Sequence, residues 1–516
     1  MKRNSIILKS KEYSVVSRCL LLAILLFLLI IGVVNLQHFN YKMNADIASD
    51  AILGKLIWEE KQIIPRSWYV ANELRIICTP NLSALFFGLT HNMTLSTGIA
   101  CCVMTLLICQ GMFFGGEQLG WKKEEILLFV FLGLALPANL AIIELLYLFA
   151  SYYAIHVVLF FITLGFYVRF IKEGRIKHFS IALSCIMALI LGLQGVRGIL
   201  ILYAPLVGIE IIRRAYSVYC KEKWKRNDWI VLAWSAALFI ISYVGTFFPM
   251  SVGQDISRNI RKGTLKLIEI VVPDVRKAVG LDDVGIVGRT CIIVLLFTAL
   301  ILLIEILLKM WKKKEITGEE WGFLVLPSSP IISELMVAYT TVESSERYYF
   351  LLVYVMACAV ILECKKRKQS RIIVSAAIIV SIINIWNVYR PIIASKEPPT
   401  TDHYKVGRYL EENDYNIAYA SFENANTITV LTNGEVRVAP VASVERMDIC
   451  KWMSSTAWYV PNVPKIGKTI YIITEKEQEL FDVFLEEHKE HMRCETQIGK
   501  FILYSSEYNY SNLGET

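Results

Sequence analysis

Residues 16–36, VSRCLLLAILLFLLIIGVVNL, form an unbroken apolar run, and residues 44–52, NADIASDAI, follow it closely. A helix needs about 20 mostly apolar residues to cross the hydrocarbon core of a bilayer, and this run supplies them. Lys2, Arg3, Lys9 and Lys11 precede it and Arg18 stands near its start. A secretory signal has a shorter apolar core and a small-residue cleavage motif after it. The run has neither feature and reads as a retained anchor helix.

Ten more runs extend the pattern, at roughly 92–115, 125–143, 153–171, 179–195, 199–212, 229–249, 288–310, 321–340, 347–363 and 371–390. The whole chain of 516 residues is 55% hydrophobic and only 19% charged, with a net charge of +7. An average soluble domain is about a quarter charged and less than half apolar. The balance excludes a cytosolic globule, a disordered chain and a protein that binds nucleic acid through a basic surface. The expected fold class is an all-α polytopic membrane protein of about 11 transmembrane helices. The runs 179–195 and 199–212 are short enough to be tilted, broken or merged.

Orientation follows from the Lys/Arg content of the connecting segments. With the N-terminus inside, the inner segments are 1–18, 116–124, 169–178, 213–226, 309–315 and 365–371, and about 40% of their positions are basic. The outer segments 37–91, 194–198, 250–287 and 340–347 are about 12% basic. The assignment alternates at every loop. It places a multi-pass protein in the cytoplasmic membrane, with the N-terminus inside and the tail 391–516 outside.

The tail departs in composition. It holds 12 Lys+Arg and 19 Asp+Glu, so the chain's positive balance lies in residues 1–390. Pro391, Pro398 and Pro399 mark the junction. Helix patterns at 402–412 and 475–488 alternate with strand patterns at 416–421, 435–441, 469–474 and 500–505, which predicts a small extracytoplasmic α/β domain. Most of the 12 cysteines lie in or beside apolar runs as small fillers. Cys450 and Cys494 lie in the tail, where an oxidising compartment would permit a disulfide.

Several chemistries have no signature here. There is no phosphate-binding glycine-rich loop for ATP, no GxSxG nucleophile elbow, and no zinc-type spacing among the seven histidines. Carboxylates and arginines at the outer face remain. Ten residues after the first run stands Asp46, and Asp50 follows at i+4, one turn along the same face if the segment is helical. Two acids where a membrane helix emerges are placed to act at the bilayer surface; the spacing equally fits two solvated loop residues. Lys55, Trp58, Glu59, Pro65, Arg66, Trp68 and Tyr69 continue the segment with aromatic anchors and charge, as in a helix lying in the interface.

One long outer loop directly after the first span, with an Asp near its start, resembles the GT-C superfamily of membrane glycosyltransferases. These enzymes take sugar from a polyprenyl-phosphate or polyprenyl-diphosphate carrier on the outer leaflet; protein O-mannosyltransferases and lipid A aminoarabinose transferases are relatives of this kind. The resemblance covers the whole chain: about a dozen spans, two large outer loops and an outer C-terminal domain. The tail segments 419–427, YASFENANT, and 452–455, WMSS, are similar to tails of bacterial members. Protein mannosyltransferases carry adjacent acids in this loop, whereas here three residues separate Asp46 from Asp50. The resemblance therefore assigns the catalytic role to Asp46 first and to Asp50 second. It implies a polyprenyl-phosphate-linked sugar donor and a glycan, lipid or protein acceptor, and it admits a divalent metal for which no ligand set in the sequence calls.

Further candidates line the same face. Arg347 and Tyr348, at the start of the tenth run, match a late Arg-Tyr pair of GT-C relatives and could grip a carrier phosphate or anchor the interface. Arg258, Arg261 and Lys262 cluster in the loop 250–287 with Lys266, facing a carrier phosphate or anionic membrane lipids. Arg197 occupies a five-residue outer turn. Glu144 and Glu334 are carboxylates beside apolar stretches, which usually face a cavity or a partner. The expected reaction is an inverting transfer with Asp46 as general base. The competing reading is a flippase or exporter component for lipid-linked saccharides, although related halves and broken midplane helices are not evident.

Overall fold

The computed structural model describes residues 14–71, 73–173, 177–248, 263–339, 344–366, 371–415, 417–459 and 466–511. The first run becomes helix α1 (Val15–Gln37), whose N-terminus is capped by the Ser14 hydroxyl accepting from the Ser17 amide. Residues 39–42 form a 3₁₀ turn and lead into α2 (Ala45–Glu60), where the Asn44 carboxamide accepts from the Ile47 amide. A short strand β1 (Trp68–Tyr69) and helix α3 (Thr79–Thr90) complete the first loop.

The membrane bundle continues with α4 (Met93–Leu119), α5 (Lys123–Ala135), α6 (Leu140–Leu146), α7 (Ala154–Glu173), α8 (His178–Leu193), α9 (Ala204–Tyr219) and α10 (Arg226–Gly245). After it come α11 (Gly263–Ala278), α12 (Ile286–Trp311), α13 (Gly318–Tyr339), α14 (Leu352–Lys366), α15 (Arg371–Asn384) and α16 (Arg390–Ala394). Among the described residues, seven helical segments are long and apolar enough to cross a membrane. They match the runs starting at 16, 92, 153, 229, 288, 347 and 371. The other four runs are helical but irregular. Pro137 interrupts 125–143 and splits it into α5 and α6, because proline lacks the amide a helix interior needs. The run 179–195 is a helix of 16 residues, and 199–212 is a π-turn leading into α9. Pro327 and Pro330 lie inside α13.

Close approach of backbones sets the packing where side chains are small. A Cβ on Gly98 of α4 would stand 2.1 Å from the Asn35 carbonyl of α1, so only glycine fits there. Asn35 is fully buried and ties α1 to the irregular link after α6: its Nδ2 donates to the Tyr147 carbonyl at 2.9 Å, and the Phe149 amide donates to its Oδ1 at 2.8 Å. Buried non-helical backbone needs such partners, since the apolar side chains around it offer none.

The tail forms a six-stranded mixed sheet in the order β4-β3-β2-β6-β8-β7. Its strands are β2 (Ile417–Ser421), β3 (Arg437–Ser443), β4 (Asp448–Ile449), β6 (Ile466–Thr474), β7 (Met492–Ile498) and β8 (Phe501–Tyr508). The remaining β5 (Ser454–Ser455) leaves this sheet and pairs antiparallel with β1. Helices α17 (Thr401–Glu412), α18 (Phe422–Leu431) and α19 (Gln478–Glu487) cover the sheet. One face packs Val406, Leu410, Ile470, Ile472 and Leu503 into a core of its own. The other face, with Tyr419 and Tyr471, merges with the core of the membrane bundle. The disulfide permitted between Cys450 and Cys494 is not formed: Cys450 is buried, Cys494 is exposed, and both are free.

The tail grips the first loop at three places. The Asn426 amide donates to the Ser49 hydroxyl of α2 at 2.7 Å and to the Met453 carbonyl at 3.0 Å. Asn433 donates to the His91 carbonyl at the end of the loop at 2.9 Å and accepts from the first amide of α4 at 2.9 Å. The β1–β5 pairing forms the third contact. Ala45, Ile47 to Gly54 and their neighbours on α3 and α18 pack together, so the first part of α2 is a core helix, while Lys55 and Trp58 are half-buried and Glu59 is exposed.

Candidate active site

A cavity of about 350 Å³ opens where the first loop, the bundle and the tail meet. That size falls within the usual range for small-molecule sites. Asp46 comes from the first turn of α2, beside amides whose dipole favours negative charge. Glu73 and Arg75 come from the loop after β1, and Glu144 from α6. Tyr152 and Tyr153 come from the link before α7, Arg197 from the turn after α8, and Glu346 and Arg347 from the 3₁₀ turn before α14. Trp452 and Met453, just before β5, close the tail side.

The floor is strained. Phe149 and Ser151 adopt left-handed backbone angles, φ 58° and 49°, immediately before the two tyrosines. Such conformations persist only where the surroundings over-determine them, as the Asn35 bonds do here. Each tyrosine carries a guanidinium over its ring, Arg75 at 5.7 Å from Tyr152 and Arg197 at 4.0 Å from Tyr153.

Charges of both signs line the cavity, and most are paired. Lys42 Nζ lies 2.8 Å from Glu144 Oε2, and Arg197 Nη1 lies 2.8 Å from Glu73 Oε1. Arg75 bridges Glu73, at 3.7 Å, and Asp50, at 3.4 Å. A guanidinium has five donors, and these contacts use only part of them. Among the described residues, Asp46 and Arg347 form no ion pair. The cavity thus presents two carboxylates without an ion pair among the described residues, exposed Asp46 and partly exposed Glu346, and one unpaired guanidinium, beside Arg75, held by the buried Asp50, and Arg197, held by the half-buried Glu73.

No protein-family model and no curated protein sequence matches the chain. Solved structures do. ArnT from Cupriavidus metallidurans, bound to undecaprenyl phosphate, superposes with a TM-score of 0.50 over 94% of this chain and 97% of its own, at 10% identity. The chain shares the fold of that structure. Two other structures align with TM-scores below one half. The Archaeoglobus fulgidus oligosaccharyltransferase, tethered to an acceptor peptide, gives 0.48 at 11% identity over 92% of this chain and 68% of that one. The arabinofuranosyltransferase AftD from Mycobacteria gives 0.45 at 10% identity over 95% of this chain and 40% of that one.

Within this fold the sequence candidates separate. Asp46, Arg197, Arg347 and Glu144 line the cavity. Asp50 does not: it is 1% exposed, behind the wall, against Arg75. Burial raises its carboxyl to about 6, against the opposing pull of the Arg75 guanidinium. Tyr348 sits next to Arg347 but outside the lining, and Glu334 takes the Tyr349 phenol as a hydrogen-bond donor away from the cavity. Glu144 pairs with Lys42 from the 3₁₀ turn after α1. Arg258, Arg261 and Lys262 lie outside the described residues.

Glu73, Arg75, Tyr152, Tyr153 and Trp452 were not singled out as site residues by sequence. Arg75 is one of five basic residues in the loop 37–91 with nothing local to distinguish it. Tyr152 and Tyr153 sit where the gap after one apolar run meets the start of the next, and there an aromatic pair looks like an interface anchor. For a divalent metal the donor set does not fit. Glu144 and Glu73 are engaged by cations, and among the described residues no three His, Cys, Asp or Glu side chains converge.

Proposed function

We propose that this chain is a membrane glycosyltransferase that moves a sugar from a polyprenyl-phosphate carrier to an extracytoplasmic acceptor. The observation that carries the reading is the pairing, in one cavity, of an unpaired carboxylate, Asp46, with an unpaired guanidinium, Arg347. The GT-C fold and the undecaprenyl phosphate bound by ArnT support it.

In this reading the carrier phosphate rests on Arg347, with the remaining donors of Arg75 and Arg197 within the same lining. Asp46 accepts the proton of the acceptor hydroxyl as its oxygen attacks the anomeric carbon. The bond from that carbon to the carrier phosphate breaks, and its electron pair leaves on the phosphate oxygen, where the cations stabilise it. The acceptor is a glycan, lipid or protein hydroxyl. Trp452 and Met453 give the tail a direct share of the wall that meets it.

Two expected outcomes test this reading. Charge-assisted hydrogen bonds contribute about 1.5–3 kcal/mol, so Arg347→Ala lowers carrier-dependent transfer about 10- to 100-fold. Arg347→Lys keeps the charge, loses the planar fork and recovers only part of the rate. Full activity of Arg347→Ala would remove Arg347 from the site. The second outcome concerns orientation. A reporter fused after Thr516 is active only on the side where the tail folds, and the basic bias of the connecting segments puts that side outside the cytoplasmic membrane. Cytoplasmic reporter activity would place the cavity on the wrong face for an outer-leaflet donor.

A further inference from the structure

A second cavity, of about 500 Å³, lies in the bundle away from the site above, between α4, α7 and α8. Its walls are apolar apart from Gln110 and Ser180, with Leu107, Phe114, Ile162, Phe166 and Leu183 among the residues that line it. One end carries two cations, Arg169 and Lys177. The position of that end is set by α7. Tyr153, one residue before α7, lines the candidate active site, and Arg169 stands fifteen residues along the same helix, about 22 Å away at 1.5 Å per residue. The charged end therefore belongs to the opposite face of the bundle. From Val158 to Arg169 the groove runs about 16 Å, close to half the ~30 Å hydrocarbon core of a bilayer.

The groove is also a seam. α8 binds firmly to α10: a Cβ on Gly192 would stand 2.1 Å from the Ser242 carbonyl, and Trp234 Nε1 donates to Ser184 Oγ at 2.9 Å. α4 binds as firmly to α7, where a Cβ on Gly111 would stand 3.2 Å from the Val158 carbonyl. The space left between these two pairs is the groove. The cations at its mouth are not equally occupied. Lys172, nearby on α7, donates to the Leu119 carbonyl at 2.6 Å and so serves the end of α4. Arg169 has Glu173 at 3.1 Å on one flank. Lys177 is exposed and, among the described residues, forms no ion pair.

We propose that this groove holds one acyl chain of an anionic phospholipid from the leaflet opposite the active site, its phosphate lying between Arg169 and Lys177. The apolar length fits a chain confined to a single leaflet. The cations at one end select a headgroup with net negative charge, each basic residue near a membrane surface contributing about 1 kcal/mol. The lipid closes the seam and fixes the α8–α10 pair against α4 and α7.

The full-length protein, purified in detergent, is to be exchanged into bilayer discs of phosphatidylglycerol or phosphatidylcholine with identical chains. Native mass spectrometry then counts retained lipids, and thermal unfolding gives the midpoint in each lipid. One retained phosphatidylglycerol, favoured about 30-fold over phosphatidylcholine and raising the midpoint, is the expected result. Arg169→Gln with Lys177→Gln is expected to abolish the preference while leaving the midpoint in phosphatidylcholine unchanged. Leu183→Trp, which fills the groove, is expected to remove retention of either lipid. Equal retention of the two lipids by the parent chain, or a preference that survives the double substitution, overturns the proposal. So does displacement of phosphatidylglycerol by equimolar polyprenyl phosphate, which would make the groove a carrier site. If Leu183→Trp does not fold, the double substitution alone decides.

Discussion

Asp46→Asn is expected to lower sugar transfer by about 10²-fold or more while the protein remains folded and binds its carrier, the scale on which a missing general base acts. Asp46 is exposed to the cavity and has no ion-pair partner among the described residues, so its carboxylate supports no local packing. The cap of α2 is Asn44, and it is untouched by the substitution. Asparagine keeps the size of the side chain and loses the proton-accepting oxygen. A carrier-binding assay run beside the transfer assay separates the two roles: binding survives and turnover falls. Undiminished transfer by a folded Asp46→Asn chain would remove the base from this site.

The second large effect is on stability. Arg75→Ala leaves Asp50 buried with its main countercharge gone, and breaking a buried pair in this way costs about 3–5 kcal/mol. The pH dependence identifies the cause. Burial raises the Asp50 carboxyl from an ordinary 3.8 to about 6 in the folded chain, even with Arg75 pulling it down. The folded chain therefore holds a proton that the unfolded chain has released, and this contribution to stability is complete below about pH 4 and lost as pH rises through 6. Without Arg75 the folded value climbs further, so the loss of stability continues above pH 6. Thermal unfolding of Arg75→Ala at pH 5 and pH 8 should show the larger deficit at pH 8. Adding Asp50→Asn should flatten the difference. A deficit independent of pH would mean that Arg75 acts through packing alone.

Much of the fold could be read locally because hydropathy is a local property. The run 153–171 became Ala154–Glu173, and the tail strand expected at 469–474 became Ile466–Thr474. The misses have physical causes. Pro137 sits inside an apolar run whose hydropathy conceals the break, and the Asn384 amide donates to the carbonyls of Ala135 and Pro137 on both sides of it. Helix α18 holds Thr427, Ile428, Thr429 and Val430, residues with strand preference, and becomes helical because its buried side packs on α17 and on α2. Strand β7 is a polar edge strand with no apolar alternation to announce it.

The site was legible in part for the same reason. Asp46 was marked by its distance from the first span. The i, i+4 spacing placed Asp50 on the same face, yet α2 is enclosed by α3, α4 and α18, so one turn further along the acid passes from cavity to core. Arg75, Tyr152, Arg197, Arg347 and Trp452 meet only through tertiary folding, and spacing along the chain carries no trace of that convergence.

Determining the structure of the full-length protein in bilayer discs loaded with a polyprenyl phosphate tests the central claim most directly. The expected result is density for the phosphate in the cavity, within ion-pair distance of Arg347 and facing Asp46, with the prenyl chain leaving sideways between helices. A carrier phosphate bound elsewhere on the chain, with Asp46 and Arg347 facing a cavity free of it at saturating carrier, would contradict the account.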